Sequence, residues 1–318
     1  MTPVYSVVIP VYNAEKYLEH AVGSVLAQEC ESSYEIILVN DGSQDGSAAI
    51  CDSLAKQRSN VQVIHQVNQG VSAARNAGIA AARGEYVLFL DGDDCWEPQL
   101  LRTLDGYLAQ KPDMIEFGYS RFDSKEEYPP VLPAAEVSGV TGIAYFDAHK
   151  QKNCLPIASS CTVACKRVFL QQNELSFPLG MSYGEDLTFH MHCLKAATSV
   201  FSVRQSLYRY RMNESSVTYH LTVKKMRDIL ISCANMYRLF PGALHANYYC
   251  MKILNLERLS KTDALQVYDL LEENRDILNA VAGKKMCLIR TLYNIFGWYR
   301  TSRMIRFLLD AKYGKKAI

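Results

Sequence analysis

"EYVLFLDGDD", residues 85–94, is the stretch of sequence that decides the fold of this chain. Its first half, Tyr86–Leu90, is a continuous apolar run, which is typical of a strand buried on both faces. Its second half carries three carboxylates in four residues, Asp91, Asp93 and Asp94. Because like charges repel, a buried strand that ends in such a cluster is expected to hold a cationic group at its tip.

Similar β-rich runs occur on either side of this stretch. They cover residues 5–11, 34–40, 61–65 and 114–119, and helical patterns lie near 14–28, 46–58, 71–82 and 97–109. Alternating strands and helices with continuous apolar strands predict an α/β fold, in which helices flank a mainly parallel sheet. In such sheets the ligand binds at the carboxyl ends of the strands.

The pattern changes after residue 120. Residues 120–160 are charged and proline-rich and predict a surface excursion, followed by helices near 141–150 and 184–196. Residues 199–211 predict two short strands, and from about 222 the pattern is helical. We therefore expect one domain over 1–218, divided into halves at 1–120 and 121–218, and a helical C-terminal region over 219–318.

The composition is that of an ordinary globular protein, with 49% hydrophobic and 21% charged residues among 318. No apolar run reaches the roughly 18 residues that span a bilayer, and the first residues lack the basic segment of a signal peptide. Ten cysteines are scattered without a C-x-x-C pair, so we expect free thiols rather than disulfides or zinc ligands. These features predict a cytoplasmic location.

Polar and small residues follow the predicted strands at the edge where a ligand is expected. They are Tyr12 and Asn13, Asn40–Ser43, Asn68–Gly70 and Asp91–Asp94. The sequence contains neither G-x-G-x-x-G after the first strand nor G-x-x-x-x-G-K-[ST], which excludes the dinucleotide fingerprint and the P-loop. Residues 41–52 loosely fit a calcium loop, but they follow a strand and end in Asp rather than Glu.

Asp91 and Asp93 suit a divalent cation that prefers oxygen ligands. Carboxylates, phosphate oxygens and water make up the usual ligand shell of Mg²⁺ or Mn²⁺. The alternative is that the acids cap a helix that Glu97 and Pro98 predict to begin nearby. For Asp94, capping alone is a sufficient explanation.

Four segments in this order resemble the second family of glycosyltransferases, the inverting GT-A enzymes that use nucleotide-diphosphate sugars. They are "SVVIPVYNAEKYLEHAVGSVLAQ" (6–28), "ILVNDGSQDGS" (37–47), "NQGVSAARNAGIAAARGEYVLFLDGDD" (68–94) and "YGEDLTF" (183–189). The resemblance covers about residues 4–220, and the last third is loosely typical of bacterial polysaccharide-building members. It implies a UDP-sugar donor, held by 1–120, and a saccharide or lipid-linked saccharide acceptor on the side of 121–218.

The resemblance also implies a nucleotide site at the strand ends. Tyr12 would stack on the uracil base, and Asp41 would accept a hydrogen bond from the ring N–H. Arg75 would reach the base or the diphosphate, with a surface salt bridge as the alternative. Asn13 would shape the first loop. The remaining residues of this predicted site are Pro10, Gly42, Asp91 and Gly92.

For the reaction, the resemblance implies that Asp93 binds Mn²⁺ or Mg²⁺ and that Asp91 holds the ribose or a metal-bound water. The metal would neutralise the diphosphate leaving group. Asp186, with Glu185 second, would take the proton of the acceptor hydroxyl, although acids at a helix start also stabilise the helix itself. Attack from the face opposite the diphosphate would invert the anomeric configuration.

The segment "YRYRMNESSVT" (208–218) resembles the terminal segment of the family domain. Arg209 or Arg211 would clamp the diphosphate there. An edge strand with exposed arginines fits the alternating pattern equally well.

The end of the chain is strongly basic, since residues 283–318 contain nine Lys or Arg and one acid, Asp310. Arg300, Arg303 and Arg306 share one helical face, and Trp298 and Tyr299 are typical of membrane interfaces. This pattern predicts binding to an anionic membrane surface. The alternatives are a packed helix with a solvated basic face and a homodimer interface; nucleic-acid binding lacks a reader motif.

A nucleotide-sugar-binding module without catalysis is the main alternative function, although the Asp91–Asp93 and Glu185–Asp186 pairs are both intact. A phosphatase with a D-x-D nucleophile would carry that motif after the first strand, whereas here it follows the fourth.

Overall fold

The computed structural model describes residues 2–212 and 221–313, with side chains as far as residue 308. Within these ranges the strands are β1 (Tyr5–Val11), β2 (Tyr34–Asp41), β3 (Val61–Gln66), β4 (Tyr86–Phe89), β5 (Cys95–Trp96), β6 (Met114–Phe122), β7 (Glu127–Val131), β8 (Val163–Lys166) and β9 (Val200–Arg211). The helices are α1 (Leu18–Leu26), α2 (Ser47–Gln57), α3 (Val71–Ala81), α4 (Leu100–Asp105), α5 (Gly142–Gln151), α6 (Arg167–Gln172), α7 (Glu185–Ala196), α8 (Val223–Leu239), α9 (Ala243–Ile253), α10 (Lys261–Leu265), α11 (Tyr268–Glu273), α12 (Lys284–Phe296) and α13 (Trp298–Tyr313).

These strands form one mixed sheet, in the order β3-β2-β1-β4-β8-β6-β9-β5, with β7 paired to β6. Strands β1 to β4 are parallel, as is the pair β6 and β9. Strands β5, β7 and β8 pair antiparallel with their neighbours. The predicted α/β class, with helices flanking the sheet and a helical C-terminal region, is confirmed.

The first four strands are held in register by their buried apolar side chains. Tyr5 of β1 lies opposite Tyr34 of β2 on one side and Tyr86 of β4 on the other. Residues 36–39 of β2 are completely buried, as expected for a central parallel strand. Because the strands start level, the residues that follow them meet at one edge of the sheet.

Helix α3 packs closely on β1 because it carries a glycine at the contact. A Cβ atom on Gly78 would lie 2.2 Å from Cγ1 of Val8, which no larger residue could accommodate without a shift. Arg75 lies about one turn before Gly78 on the same helix, towards the carboxyl edge of the sheet.

Residues 200–211 form the single strand β9, so the prediction of two short strands over 199–211 is wrong. The register of β9 against β6 shifts at Gly118, because Phe117 pairs with Val203 and Gly118 pairs with Ser206. A Cβ on Gly118 would lie 2.7 Å from the carbonyl oxygen of Val131, so the bulge requires glycine. Arg204 and Gln205 lie between these two pairs and are exposed, so in the sequence they resemble a turn.

Contacts divide the chain into two compact units, Met1–Gly180 with Phe189–Glu214, and Met181–Thr188 with Ser215–Ile318. The predicted boundary at residue 218 lies within 213–220, outside the described residues. The prediction also placed residues 181–188 in the first domain, whereas they belong to the second unit.

The second unit is helical and has its own apolar core. Trp298 is 4% exposed and its Nε1 donates a hydrogen bond to Oε1 of Glu272 at 2.9 Å. Tyr299 is half-buried and donates its hydroxyl to the carbonyl oxygen of Leu259 at 3.3 Å. The expectation of a place at a membrane interface is therefore wrong for Trp298, whereas for Tyr299 it stays a prediction. The core residues from the last two helices are Met286, Ile289, Tyr293, Trp298 and Ile305.

All ten cysteines are free thiols. Among the helices of the described ranges, none is both long and apolar enough to cross a bilayer.

Candidate active site

The loops that follow β1 and β2 are joined by hydrogen bonds. The backbone N–H of Asn13 donates to Oγ of Ser43 at 3.1 Å, and Oδ1 of Asn13 accepts from the N–H of Gln44 at 2.8 Å. Asn13 has a φ of 50°, a conformation that asparagine tolerates better than most residues. Asn13 thereby shapes the first loop and leaves the adjacent Tyr12 ring 51% exposed at the sheet edge.

Asp41 is a buried carboxylate that organises the loop after β3. It is 3% exposed and accepts hydrogen bonds from Nε2 of Gln66 at 2.7 Å, and from the N–H groups of Gln69 at 2.9 Å and Gly70 at 2.8 Å. Gly42 follows with a φ of 71°, and a Cβ there would lie 2.8 Å from the nitrogen of Asn68. A carboxylate has about four acceptor positions, so one more donor can be accommodated.

Arg75 forms an ion pair inside the site rather than on the surface. Its Nη2 lies 2.8 Å from Oδ1 of Asp91, and the two side chains are 3% and 32% exposed. The guanidinium carbon is 5.2 Å from the ring centroid of Phe177, a cation–π distance. The arrangement fixes the direction of both charged groups and overturns the alternative of a surface salt bridge for Arg75.

The turn Asp91–Asp94 packs against the first loop. A Cβ on Gly92 would lie 3.3 Å from Cβ of Ala14 and 3.4 Å from the carbonyl oxygen of Pro10. The N–H of Asp94 donates to the carbonyl oxygen of Asp91 at 3.0 Å, which closes the turn. Asp93 is half-buried at the middle of this turn. The structure therefore brings Pro10, Asp91, Gly92 and Asp93 to one place.

Asp94 anchors strand β9 and does not cap a helix. Helix α4 begins at Leu100 after the cap residue Gln99, so the capping hypothesis for Asp94 is wrong. Asp94 is 1% exposed and accepts hydrogen bonds from the hydroxyl of Tyr208 and from the N–H of Arg211. Burial raises the pKa of this carboxyl, and the charges of Asp91 and Asp93 raise it further. Sequence reasoning missed Tyr208, since only its place in the 208–218 segment marks it.

The two arginines at the end of β9 have different surroundings. Nε of Arg211 donates to the carbonyl oxygen of Asp93 at 2.8 Å, whereas Arg209 forms ion pairs with Glu127 and Glu97. Strand β9 is paired with β6 on one side and with β5 on the other, so the edge-strand alternative is wrong. Arg211 is the arginine at the Asp91–Asp94 turn.

His20 is a further residue that the sequence did not indicate. Its Nδ1 lies 3.4 Å from Nη2 of Arg211. Burial lowers the pKa of His20, and the nearby charges of Arg211 and Arg209 lower it further. A neutral imidazole at pH 7 accepts a hydrogen bond from Arg211 without charge repulsion.

Glu185 and Asp186 occupy the first turn of α7, in the second unit. The preceding Gly184 has a φ of 79°, and its carbonyl oxygen accepts from the N–H of Thr188 at 3.1 Å and from Oγ of Ser232 at 2.9 Å. These bonds fix the start of the helix. The roles of Asp186 and Glu185 in proton transfer stay predictions.

The carboxylate oxygens of the Asp91–Asp94 turn fit a metal ion that takes its remaining ligands from a bound substrate and from water. Across the described ranges, no three or more His, Cys, Asp or Glu side chains group as a metal site by themselves. Asp93, and Asp91 beside it, supply carboxylate oxygens, and Mg²⁺ and Mn²⁺ commonly complete their shells with phosphate oxygens and water. Asp93, with Asp91 beside it, is therefore a residue that could hold such an ion.

The fold matches solved structures of the GT-A class. TarS 1–349 of S. aureus, crystallised with UDP-GlcNAc, superposes with a TM-score of 0.74 at 17% identity, over 95% of this chain and 91% of that one. The mannosyltransferase PcManGT of Pyrobaculum calidifontis, solved with GDP-Man and Mn²⁺, superposes with a TM-score of 0.59 at 14% identity, over 99% and 89%. The chain thus shares the fold of these two proteins.

Sequence comparison identifies the family to which the chain belongs. A family model described as "Glycosyl transferase family 2" matches residues 6–172, and the chain belongs to that family. It is 34% identical to EpsJ of Bacillus subtilis, an uncharacterized glycosyltransferase, over 69% of this chain and 64% of EpsJ, just under two thirds of that protein. It is 32% identical to the glycosyltransferase GlyG of Streptococcus pneumoniae, over 68% and 73%. TuaG of B. subtilis, named for teichuronic acid biosynthesis, is 29% identical over 68% and 82%.

Proposed function

We propose that this chain is a metal-dependent, inverting glycosyltransferase, which moves a sugar from a UDP-sugar to a hydroxyl of a saccharide or lipid-linked saccharide. The observation that carries the proposal is the turn Asp91–Asp94, which is held between the ion pair of Arg75 and the guanidinium of Arg211. The work of the enzyme would be cell-surface polysaccharide biosynthesis, the kind of process for which TuaG is named.

The nucleotide end of the donor would bind along the loops that follow β1, β2 and β3. Tyr12 presents an exposed ring on which a base can stack, and the crystal of TarS with UDP-GlcNAc supports uracil as that base. Asp41 would accept the hydrogen bond of the ring N–H, in addition to the three bonds it already accepts.

The diphosphate end would lie over Asp93. A bound Mn²⁺ or Mg²⁺ would neutralise charge on the departing diphosphate, and the Mn²⁺ complex of PcManGT supports this choice of ions. Arg211 is the nearer of the two candidate clamps, because its Nε already lies 2.8 Å from the carbonyl oxygen of Asp93. Arg75 would hold Asp91 in place for the ribose.

Proton removal from the acceptor hydroxyl would fall to Asp186, with Glu185 as the second candidate. The hydroxyl oxygen would then bond to the anomeric carbon as the bond to the diphosphate oxygen breaks. Attack from the opposite face inverts the configuration at that carbon. We place the enzyme in the cytoplasm, peripheral on the inner face of the membrane, where lipid-linked acceptors are available.

The experiment that tests this function is a screen of nucleotide-sugars for thermal protection and hydrolysis, with and without Mn²⁺. We expect a UDP-sugar to protect and to be hydrolysed only with metal. Asp93→Ala should lose the metal-dependent protection, whereas Asp147→Ala, a control at an exposed acid on α5, should keep it.

Protection by UDP without turnover of any UDP-sugar would favour the alternative, a nucleotide-sugar-binding module without catalysis. Full metal dependence in Asp93→Ala would contradict the assignment of the metal site.

A further inference from the structure

Helix α13 has one face in the core of the second unit. Its buried positions are spaced by three or four residues, as one face of a helix requires, and are Trp298, Thr301, Ser302 and Ile305. Oγ of Ser302 donates to the carbonyl oxygen of Ile253 at 3.1 Å, which ties the helix to the rest of the unit. The rotation of α13 about its axis is therefore fixed.

The opposite face of α13 is exposed and combines basic with apolar side chains. Phe307 is 74% exposed and Leu308 is 58% exposed, although both are large and apolar. Arg303 lies four residues before Phe307, and Arg300 lies three residues before Arg303, so both share this face, and both are exposed. Met304, at 37% exposure, lies among them.

Helix α12, which contacts α13, also carries exposed apolar side chains. Its residues Leu288, Ile295 and Phe296 are 59%, 65% and 49% exposed. Of the twelve exposed large apolar residues in the described ranges, six therefore fall between residues 288 and 308. The others, such as Ile143 on α5, are scattered along the chain. A concentration of this kind marks an interaction surface. We name it the tail surface: Leu288, Ile295, Phe296, Arg300, Arg303, Met304, Phe307 and Leu308.

The charged residues of α12, and of α13 as far as residue 308, are all basic. Residues 284–308 contain six Lys or Arg and no Asp or Glu. A second copy of this chain, in a twofold contact, would place the same positive charges against each other. An anionic surface is the complementary occupant, since it neutralises the basic residues and covers the apolar ones together.

We propose that the tail surface binds an anionic lipid membrane. The guanidinium groups of Arg300 and Arg303 would lie among the lipid phosphates, and the side chains of Phe307 and Leu308 would insert to the level of the upper acyl chains. The tail surface does not include Trp298 and Tyr299, the two aromatic residues that the sequence pattern suggested. This inference depends on exposure and charge and not on the proposed sugar transfer.

Sedimentation of the whole chain with lipid vesicles tests the proposal. We expect the protein to bind vesicles of phosphatidylcholine with phosphatidylglycerol, to ignore vesicles of phosphatidylcholine alone, and to dissociate at high salt. The double variants Phe307→Ser/Leu308→Ser and Arg300→Gln/Arg303→Gln should each weaken binding about tenfold or more. Because all four side chains are exposed, the melting temperature should not change.

The matched control is Ile143→Ser/Lys150→Gln, which removes one exposed apolar and one exposed basic residue from α5. It should bind vesicles like the unchanged chain. Hydrolysis of the nucleotide-sugar in solution should be equal in all variants, which separates failure of this proposal from failure of the proposed function.

Three results would overturn the proposal. They are no binding to the anionic vesicles, binding that neither double variant weakens, and a solution dimer that Phe307→Ser/Leu308→Ser dissociates without any vesicle binding. The last result would assign the tail surface to a second copy of the chain.

Discussion

The hydroxyl of Tyr208 donates a hydrogen bond to the buried carboxylate of Asp94, which is 114 residues earlier in the chain. The same hydroxyl accepts a bond from the N–H of Asp91 at 3.4 Å. Tyr208 of strand β9 thereby contacts both ends of the Asp91–Asp94 turn.

Tyr208→Phe should weaken metal binding without removing a ligand. Loss of the hydroxyl leaves Asp94 without one donor and frees the turn that carries Asp93, so the metal concentration for half-maximal protection by UDP should rise about tenfold. Stability should fall by about 1–3 kcal/mol. Tyr86→Phe is the control, because it removes a buried hydroxyl that donates to the carbonyl oxygen of Pro112 at 3.1 Å. It should lower stability alone; equal metal dependence in both variants would contradict the positioning role.

Arg211→Gln and Arg209→Gln should differ in their effect on the donor. Arg211 lies on the Asp93 carbonyl, so its loss should raise KM for the donor or lower kcat by about tenfold or more. Arg209 is paired with Glu127 and Glu97, both partly exposed, and its loss should change either constant by less than about threefold. Steady-state kinetics of both variants decides which arginine is the clamp, and a larger effect at Arg209 would reverse the assignment.

Asp186→Asn should abolish transfer and leave nucleotide binding unchanged. Removal of a general base typically costs about 10²–10⁴ in rate, whereas in the proposed function UDP would bind through other residues. Glu185→Gln is the comparison, since the two acids share the first turn of α7. Transfer that survives in Asp186→Asn and disappears in Glu185→Gln would move the base to Glu185.

Glu116 should make the protein less stable as the pH rises. It is completely buried, and burial raises its pKa to about 8, while the N–H of Ile157 donates to Oε1 at 3.0 Å. Burial lowers the pKa of His190 to about 4, so these groups, 3.8 Å apart, are both uncharged near pH 7. The folded protein then holds the Glu116 proton that the unfolded chain releases. The stabilisation of the folded protein by this bound proton is complete below about pH 4.5 and is lost as the pH rises towards 8.

The difference between the unchanged chain and Glu116→Gln isolates Glu116 from pH 6.5 to 8, because His190 contributes to both pH curves. Urea unfolding should show the free energy falling by up to about 1.4 kcal/mol per pH unit there. Glu116→Gln should remove this slope, and Glu136→Gln, at an exposed glutamate, should keep it. Parallel pH curves for Glu116→Gln and the unchanged chain would contradict the prediction.

The sequence predicts the first half of the fold well because its strands are continuous apolar runs. The predicted runs at 5–11, 34–40 and 61–65 differ from β1, β2 and β3 by at most one residue at an end. Strands β1 and β2 are buried along most of their length, so a local pattern identifies them, whereas β3 is mostly half-buried. The residues at their carboxyl ends meet as predicted because parallel strands that start level also end near one edge.

The errors come from contacts between residues that are distant in the sequence. The role of Asp94 depends on Tyr208, and no local pattern links them. Strand β9 contains the exposed pair Arg204 and Gln205, which resembles a turn until the bulge at Gly118 is known. Tryptophan is a residue type typical of membrane interfaces, but Trp298 is buried in the core of the second unit.

The hydrogen bonds between the loops after β1 and β2 also bear on the thermodynamics of donor binding. Asn13 with Gln44, and Glu15 with Gly46, hold both loops in one conformation before any nucleotide arrives. The conformational entropy of these loops is lost when the chain folds, so it does not have to be lost again when UDP binds. Calorimetry of UDP binding should therefore show a smaller unfavourable entropy in the unchanged chain than in Asn13→Gly, whose loop must become ordered around the ligand.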